Sequence, residues 1–216
     1  MRLSNEHVIV LLSGGLDSAV ALYWALNKGY KVETITFDYF LRSRKEIQSC
    51  KRVAAFACVK NTQINLDFLK EIDDLKEKNR NPQLKQAPST YIPVRNVILY
   101  GIAASIAEVI DAKYVVGGHN KNDTRSFPDS SQKFFDLFNR TTSLGKISKN
   151  RTGKVLLPLG NLDKSEVIKL GKKLGVPFEI TWSCYKSKSR PCRKCSACRL
   201  RAESFSSAGI EDPLMA

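Results

Sequence analysis

Short apolar runs alternate with longer amphipathic stretches along most of the chain. Val8–Leu12 is an apolar run of strand length that stops at Ser13-Gly14-Gly15. Asp17–Asn27 has helical character and is closed by Gly29. Val32–Phe37 predicts a second strand, ending at Asp38-Tyr39, and Arg44–Val59 a helix with Ile47, Val53, Ala54 and Ala57 on one side. Thr62–Leu66 predicts a third strand. From Asp67 to Ser89 the chain is charged and weakly periodic, with Pro82 and Pro88 as breakers, which predicts a short helix and then a loop. Val94–Ala112 is a strongly apolar helix, and Tyr114–Gly117 is the next strand. Pro128-Asp129 opens a further helix closed by Gly145, with Gln132 in capping-box register to Asp129. Val155–Leu159 is extended. Asp163 and Glu166 form a second capping box, leading a helix that stops at Gly175 before Pro177. Ile180–Ser183 is extended again, and Ala197–Phe205 is a short closing helix.

Strands and helices that alternate at this spacing predict a parallel sheet with helices on both faces, a Rossmann-like three-layer α/β domain. We place that domain at residues 1–180, with a cysteine-bearing C-terminal region at 181–216 packed on it. Parallel sheets bind ligands at the carboxyl ends of their strands. The informative loops are therefore those after Leu12, Phe37, Val116 and Leu159.

Composition narrows the classes. An apolar fraction of 43% and a charged fraction of 26% suit a globular enzyme or binding protein. The longest near-apolar stretch, Val97–Ala107, falls far short of the roughly 20 residues that span a bilayer. The polar start, Met1–His7, has no signal-peptide pattern, so a cytoplasmic location is expected. The net charge of +14 is spread along the chain. It is either a lysine-rich soluble surface or a field that draws anions such as nucleotides or RNA.

Two motifs carry chemistry. Ser13-Gly14-Gly15-Leu16-Asp17-Ser18 follows a strand and precedes a helix. Glycines allow a tight turn and close approach, and the helix start offers unpaired N–H groups and the positive end of a dipole. This arrangement suits a phosphate and matches neither the Gly-Lys-Ser/Thr loop nor the dinucleotide fingerprint. A plain capped strand-to-helix turn is the bland alternative. The second motif is Cys184-x7-Cys192-x2-Cys195-x2-Cys198, four of the six cysteines within 15 residues. Four thiolates so close suit a closed zinc site, with an iron–sulfur cluster as the other reading. Lys186, Lys188, Arg190, Arg193, Lys194 and Arg199 surround them and offset their charge.

The loop resembles that of the PP-loop ATP pyrophosphatases. That resemblance implies AMP transfer from ATP to a substrate oxygen, with Asp17 supporting the loop or a magnesium ion. More narrowly, from about Val8 to Phe205 the chain is similar to the QueC family of 7-cyano-7-deazaguanine synthases. The shared elements are the loop at 13–18, Phe37-Asp38-Tyr39 with Arg42 and Glu46, and Tyr91-Ile92-Pro93-Val94-Arg95-Asn96. Further along they are Gly118, Asn120, Asp123, Pro128-Asp129, Pro158-Leu159, Lys164, Thr181-Trp182-Ser183-Cys184-Tyr185 and the cysteine run ending at Arg201.

The resemblance implies an adenine nucleotide alpha hydrolase-like fold and ATP, Mg2+ and Zn2+ as cofactors. It implies a 7-carboxy-7-deazaguanine substrate that is adenylated, converted by ammonia to an amide and dehydrated to the nitrile. Asp17, Arg95 and Lys164 would be catalytic, and Ser13, Gly14, Gly15, Leu16, Asp17 and Ser18 would bind ATP. Tyr39, Arg42, Asn96, Asn120, Asp123, Phe127 and Asp129 would bind the substrate. Asp129 would read the guanine-like edge, unless it is an ordinary N-cap of its own helix; Arg95 and Asn96 have a similar bland reading as first-turn residues. A homodimer is the expected assembly, and no membrane is involved.

The chain departs from the family where Tyr-Gly-Gln-Arg-His becomes Tyr39-Phe40-Leu41-Arg42-Ser43. It departs again where Ser-Gly-Tyr-Pro-Asp-Cys-Arg becomes Arg125-Ser126-Phe127-Pro128-Asp129-Ser130-Ser131. These changes leave open an enzyme that stops at the amide or uses another amine, such as a protein N-terminus. A tRNA-modifying enzyme of the same loop class is the remaining alternative.

Overall fold

The computed structural model describes residues 5–77, 82–87, 91–147, 152–186 and 189–215. Pro88 and Lys188, named above, lie outside them. Five strands form one sheet: β1 (His7–Leu11), β2 (Lys31–Asp38), β3 (Lys60–Asn65), β4 (Tyr114–Val116) and β5 (Lys154–Leu156). Their order is β3-β2-β1-β4-β5 and every pairing is parallel. Val8 registers with Val32 on one side and Tyr114 on the other. The chain thus moves outward from β1 in both directions, which makes the β1/β4 boundary a topological switch point.

The helices are α1 (Leu16–Asn27), α2 (Arg44–Phe56), α3 (Leu69–Glu77), α4 (Arg95–Val109), α5 (Lys121–Ser126), α6 (Gln132–Leu144), α7 (Lys164–Lys173) and α8 (Ser196–Ala208). Alternation along β1 decides which helices pack where. Val8, Val10 and Leu12 face a layer built from Leu16, Val20 and Leu22 of α1, Val53 of α2, Val167 and Ile168 of α7 and Phe205 of α8. Ile9 faces the opposite layer, with Leu69 of α3, Tyr100, Ala103 and Ala107 of α4 and Phe135 of α6. Each fully buried aliphatic or aromatic side chain contributes about 1.5–3 kcal/mol, so these two cores supply the main stabilisation. Close approach is required where α7 meets α1: a Cβ on Gly171 would meet the Phe178 ring at 2.4 Å and Val20 at 2.8 Å.

Several element ends differ from the sequence expectation. The helix expected to open at Asp129 starts at Gln132, because Pro128–Ser130 forms a separate 3-10 turn and Ser131 is the N-cap, accepting from Phe134 N. The stretch expected to be extended from Ile180 begins instead as a 3-10 turn, Phe178–Ile180, after Pro177. A helix not foreseen, α5, is held by a capping box between Asn120 and Asp123. No helix among the described residues is long and apolar enough to cross a membrane.

The C-terminal segment is tied to the rest by Arg201, which is 2% exposed. Its five N–H donors are all used: on Asp212 at 2.8 and 2.9 Å, Thr181 Oγ1 at 2.8 Å, Phe178 O at 3.0 Å and Ser183 Oγ at 3.4 Å. Removing one partner of a buried ion pair strands the other charge. We expect Asp212→Ala to lower unfolding free energy by about 3–5 kcal/mol, measured by urea denaturation.

Candidate active site

The loop after β1 is shaped by what its carbonyls do. Leu12 O accepts from Thr36 Oγ1 at 3.1 Å and from Cys50 Sγ at 3.3 Å. Ser13 O accepts from Arg42 Nη2 at 2.6 Å. Gly14 O accepts from Trp182 N at 2.8 Å and has Ser49 Oγ at 2.7 Å. In a trans peptide the C=O and the following N–H point in opposite directions. Three carbonyls drawn back toward α2 and residue 182 therefore turn the N–H groups of Ser13, Gly14 and Gly15 the other way. The Gly14 N–H has no acceptor among the described residues, and Gly15, the N-cap of α1, brings no side chain to cap the helix. Gly14 has φ +74°, and a Cβ there would meet Glu46 O at 2.5 Å, so this corner admits only glycine. Ser13 and Ser18 hydroxyls are 2.9 Å apart, and Ser18 Oγ also accepts from Ser13 N at 3.1 Å. The result is a cradle of N–H and O–H donors at a helix start, suited to phosphate.

Asp17 is the acidic residue of the cradle. One oxygen accepts from Asn120 Nδ2 at 3.2 Å and the other pairs with Lys164. Burial opposes the Lys164 charge, but the adjacent Asp17 carboxylate, aided by Asp123, outweighs it and holds the ammonium above the usual lysine range. Asp123 moves upward from the usual carboxylate range through burial first and the Asp17 charge second. Gly118 lets β4 close on this group, since a Cβ there would meet Ser18 N at 2.9 Å.

The cradle opens into a cleft of about 390 Å³ at the switch point. Ten of the residues expected from the sequence line it: Ser13, Asp17, Ser18, Tyr39, Arg42, Arg95, Asn96, Asp123, Phe127 and Asp129. Gly14, Gly15 and Leu16 form the loop behind that wall. Asn120 is fully buried, and Asn120 and Lys164 stand behind Asp17 rather than on the cleft surface. Tyr39 lies between two guanidinium groups, with Arg42 and Arg95 each 6.0 Å from its ring centre and Arg95 Nη1 donating to its hydroxyl at 3.2 Å.

Asp129 does not cap its own helix. Its Oδ2 accepts from Asn96 N at 3.1 Å, and Asn96 Nδ2 donates to Asp129 O at 2.9 Å. Asp129 therefore caps α4 from across the cleft. The need arises because the α4 N-cap is Val94, which has no oxygen to offer and sits in the left-handed region at φ 46°. A β-branched residue there is strained. The strain is held by buried Ile92 on one side and the Asn96–Asp129 pair on the other.

The departures from the family pattern also find places. Ser43 is the N-cap of α2, in a capping box with Glu46, and Ser131 caps α6; neither lines the cleft. Leu41 does line it, and so does Ser130, whose hydroxyl donates to Phe127 O at 2.6 Å. Sequence reasoning missed His119, Tyr100 and Leu99 as wall residues. The signal for His119 was its place directly after a strand end at the switch point.

The four cysteines form a second centre. Their Sγ atoms all lie within 4.8 Å of one another, with Cys192 and Cys198 at 4.0 Å. Thiolates on one tetrahedral ion at about 2.3 Å would be roughly 3.8 Å apart, so this set fits a single ion. A polynuclear cluster would spread its four sulfurs farther. Cys192 N donates to Cys184 Sγ and Cys195 N to Cys192 Sγ, each at 3.3 Å. Backbone amides of Lys194 and Cys195 bring the Cys192 thiol down to about 6, favouring the thiolate that a metal needs.

A parallel α/β domain whose switch-point crevice opens on a strand–Ser-Gly-Gly–helix cradle defines a PP-loop type of nucleotide-binding protein. A solved structure of NMN synthetase from Francisella tularensis shares the fold, with a TM-score of 0.55 and 17% identity, covering 96% of this chain and 79% of that one. The chain belongs to the QueC family: the profile described as "Queuosine biosynthesis protein QueC" matches residues 7–209. Among its relatives, the 7-cyano-7-deazaguanine synthase of Thermoplasma volcanium is 39% identical over 97% of this chain and 90% of its own. The protein of the same name from Thermoplasma acidophilum is 37% identical over 98% and 92%.

Val94 offers a direct check on the strain. Glycine adopts φ 46° freely, and the gain exceeds its extra unfolded-state entropy. Val94→Gly is expected to raise stability by about 0.5–1 kcal/mol, read as a higher melting temperature.

Proposed function

We propose that this chain is an ATP-dependent ligase that converts 7-carboxy-7-deazaguanine and ammonia to 7-cyano-7-deazaguanine. The single observation that carries this reading is one shared cavity: the donor cradle of Ser13–Ser18 and the Asp129/Phe127 end open on the same cleft. Family membership supplies the substrate class.

The cradle holds the pyrophosphate portion of ATP, with Asp17 supporting it through Lys164 and Asn120 rather than acting on substrate. Phe127 packs on the flat base, and Asp129, one oxygen of which is engaged by Asn96 N, offers the other to the N–H groups of the guanine-like edge. Arg95 and Arg42 face the transferring phosphoryl, and Arg42 also clamps Ser13 O. A carboxylate oxygen attacks the α-phosphorus and pyrophosphate leaves. Ammonia then displaces AMP to give the amide. The amide oxygen takes a second AMP, and loss of AMP with the remaining N–H protons forms the nitrile. Each AMP carries away one oxygen of the acid, so two ATP are consumed and no free water appears. Magnesium enters as the counter-ion of the triphosphate and neutralises charge on the departing pyrophosphate. Zinc is the ion we assign to Cys184, Cys192, Cys195 and Cys198; with four protein ligands it contributes folding energy and leaves no open position for chemistry.

With the acid labelled with 18O in its carboxylate, mass spectrometry should find the nitrile and two AMP molecules, each bearing one label. Recovery of the amide alone, or of an adduct on a protein amine, would replace this reading with the shorter or diverted reaction. Cys195→Ser should lose about one zinc per chain by elemental analysis and lower the melting temperature, since structural zinc and folding are coupled. Full metal content with unchanged melting would remove the zinc assignment.

A further inference from the structure

His119 lines the cleft, yet none of the interactions above uses it. It follows Gly118, which touches the backbone of Asp17 and Ser18, so it stands beside the phosphate cradle. Its ring is stacked on Phe135 at 5.6 Å and 28°, and lies 5.7 Å from Tyr100. Both of those rings are buried, at 0% and 2% exposure, which fixes the imidazole plane. No hydrogen bond reaches either ring nitrogen among the described residues. A partly buried imidazole with no protein hydrogen-bond partner, its plane fixed by two buried rings at the wall of the cleft, leaves its nitrogens free for a ligand. The charges around it are Asp129, Arg95 and Asp17. It lines the same cleft as Ser13, Asp17 and Ser18 of the cradle and as Asp129, the carboxylate assigned to the base.

We propose that His119 is the catalytic base that receives a proton from the attacking nitrogen, an inference that rests on the proposed function. When ammonia adds to the acyl adenylate, the N–C bond forms and the nitrogen becomes cationic. One N–H proton passes to an imidazole nitrogen, the C–O bond to AMP breaks, and AMP leaves with the electron pair. The imidazolium then returns its proton to water. After the second adenylation the same nitrogen loses its last two protons as the C≡N bond forms and AMP departs; His119 takes these in turn. Burial, the main cause, brings the imidazole down to about 4, so it is neutral and able to accept throughout the physiological range. The carboxylates of Asp129 and Asp17 act in the opposite sense to burial and favour the imidazolium that forms as the proton arrives.

Two variants separate this role from packing. His119→Phe keeps the stack on Phe135 and Tyr100, and His119→Gln keeps hydrogen-bonding atoms without a basic nitrogen. Acid-dependent exchange of labelled pyrophosphate into ATP reads adenylation alone. We expect both variants to hold exchange within about threefold of the parent while amide formation from ammonia falls about 100-fold or more. Hydroxylamine, whose adduct releases its proton to water more readily, should show a smaller deficit than ammonia. Amide formation near the parent rate in either variant overturns the proposal. So does a parallel fall of exchange and amide formation, which would make the ring a binding or packing element. If the unaltered protein shows no exchange with the deazaguanine acid, the proposed function fails and this inference with it.

Discussion

The direction of three peptide groups governs this molecule. The carbonyls of Leu12, Ser13 and Gly14 are each taken by a donor on the far side of the loop. Thr36 comes from β2, Arg42 from the segment before α2, Ser49 from α2 itself and the Trp182 amide from the C-terminal segment. A neutral hydrogen bond contributes about 0.5–1.5 kcal/mol net and one from a charged group such as Arg42 about 1.5–3, so none of these donors decides stability alone. Together they decide orientation. A phosphate cradle made of backbone amides has no side chain to aim it, and only the far side of each peptide can be gripped.

The same logic of indirect support recurs across the cleft. Asp17 is oriented by Asn120 and Lys164, and Asn120 is itself fixed as the cap of α5. Asn96 is oriented by Asp129, and the two tie α4 to the 3-10 turn before α6. Val94, just before Arg95, bears strain in the left-handed region at the start of α4. Asp17 is thus backed by residues behind the wall, while Asn96 and Asp129 brace each other within it, which keeps these polar groups of the site rigid.

Much of this was legible in the sequence because its causes are local. The apolar alternation of Val8–Leu12, the Ser-Gly-Gly turn and the cysteine spacing depend on neighbours a few residues away. So does the Asp163–Glu166 capping box, which the structure reproduces. What escaped was set by distant partners. Asp129 carried the spacing of a cap for its own helix, but Ser131 fills that place and Asp129 serves α4 instead. Asn120 is expected from the sequence to bind substrate and Lys164 to be catalytic, and nothing local reveals that the two converge behind Asp17. Arg201 read as the end of a cysteine motif, yet it is the most enclosed cation described, and its partner Asp212 lies past the last element expected.

The bond from the Trp182 amide to Gly14 has a consequence for how the protein comes into being. Gly14 is synthesised well before Trp182, and Arg201, which holds the Trp182 segment through Phe178, Thr181 and Ser183, comes later still. Domains tend to organise from the N-terminus during synthesis. Here β1 and α1 can pair early, but the loop between them lacks its bond to Trp182 until that segment arrives and seats itself. A chain made only as far as α7 thus carries the loop without its final aim, and the shape of the loop depends on a segment synthesised much later.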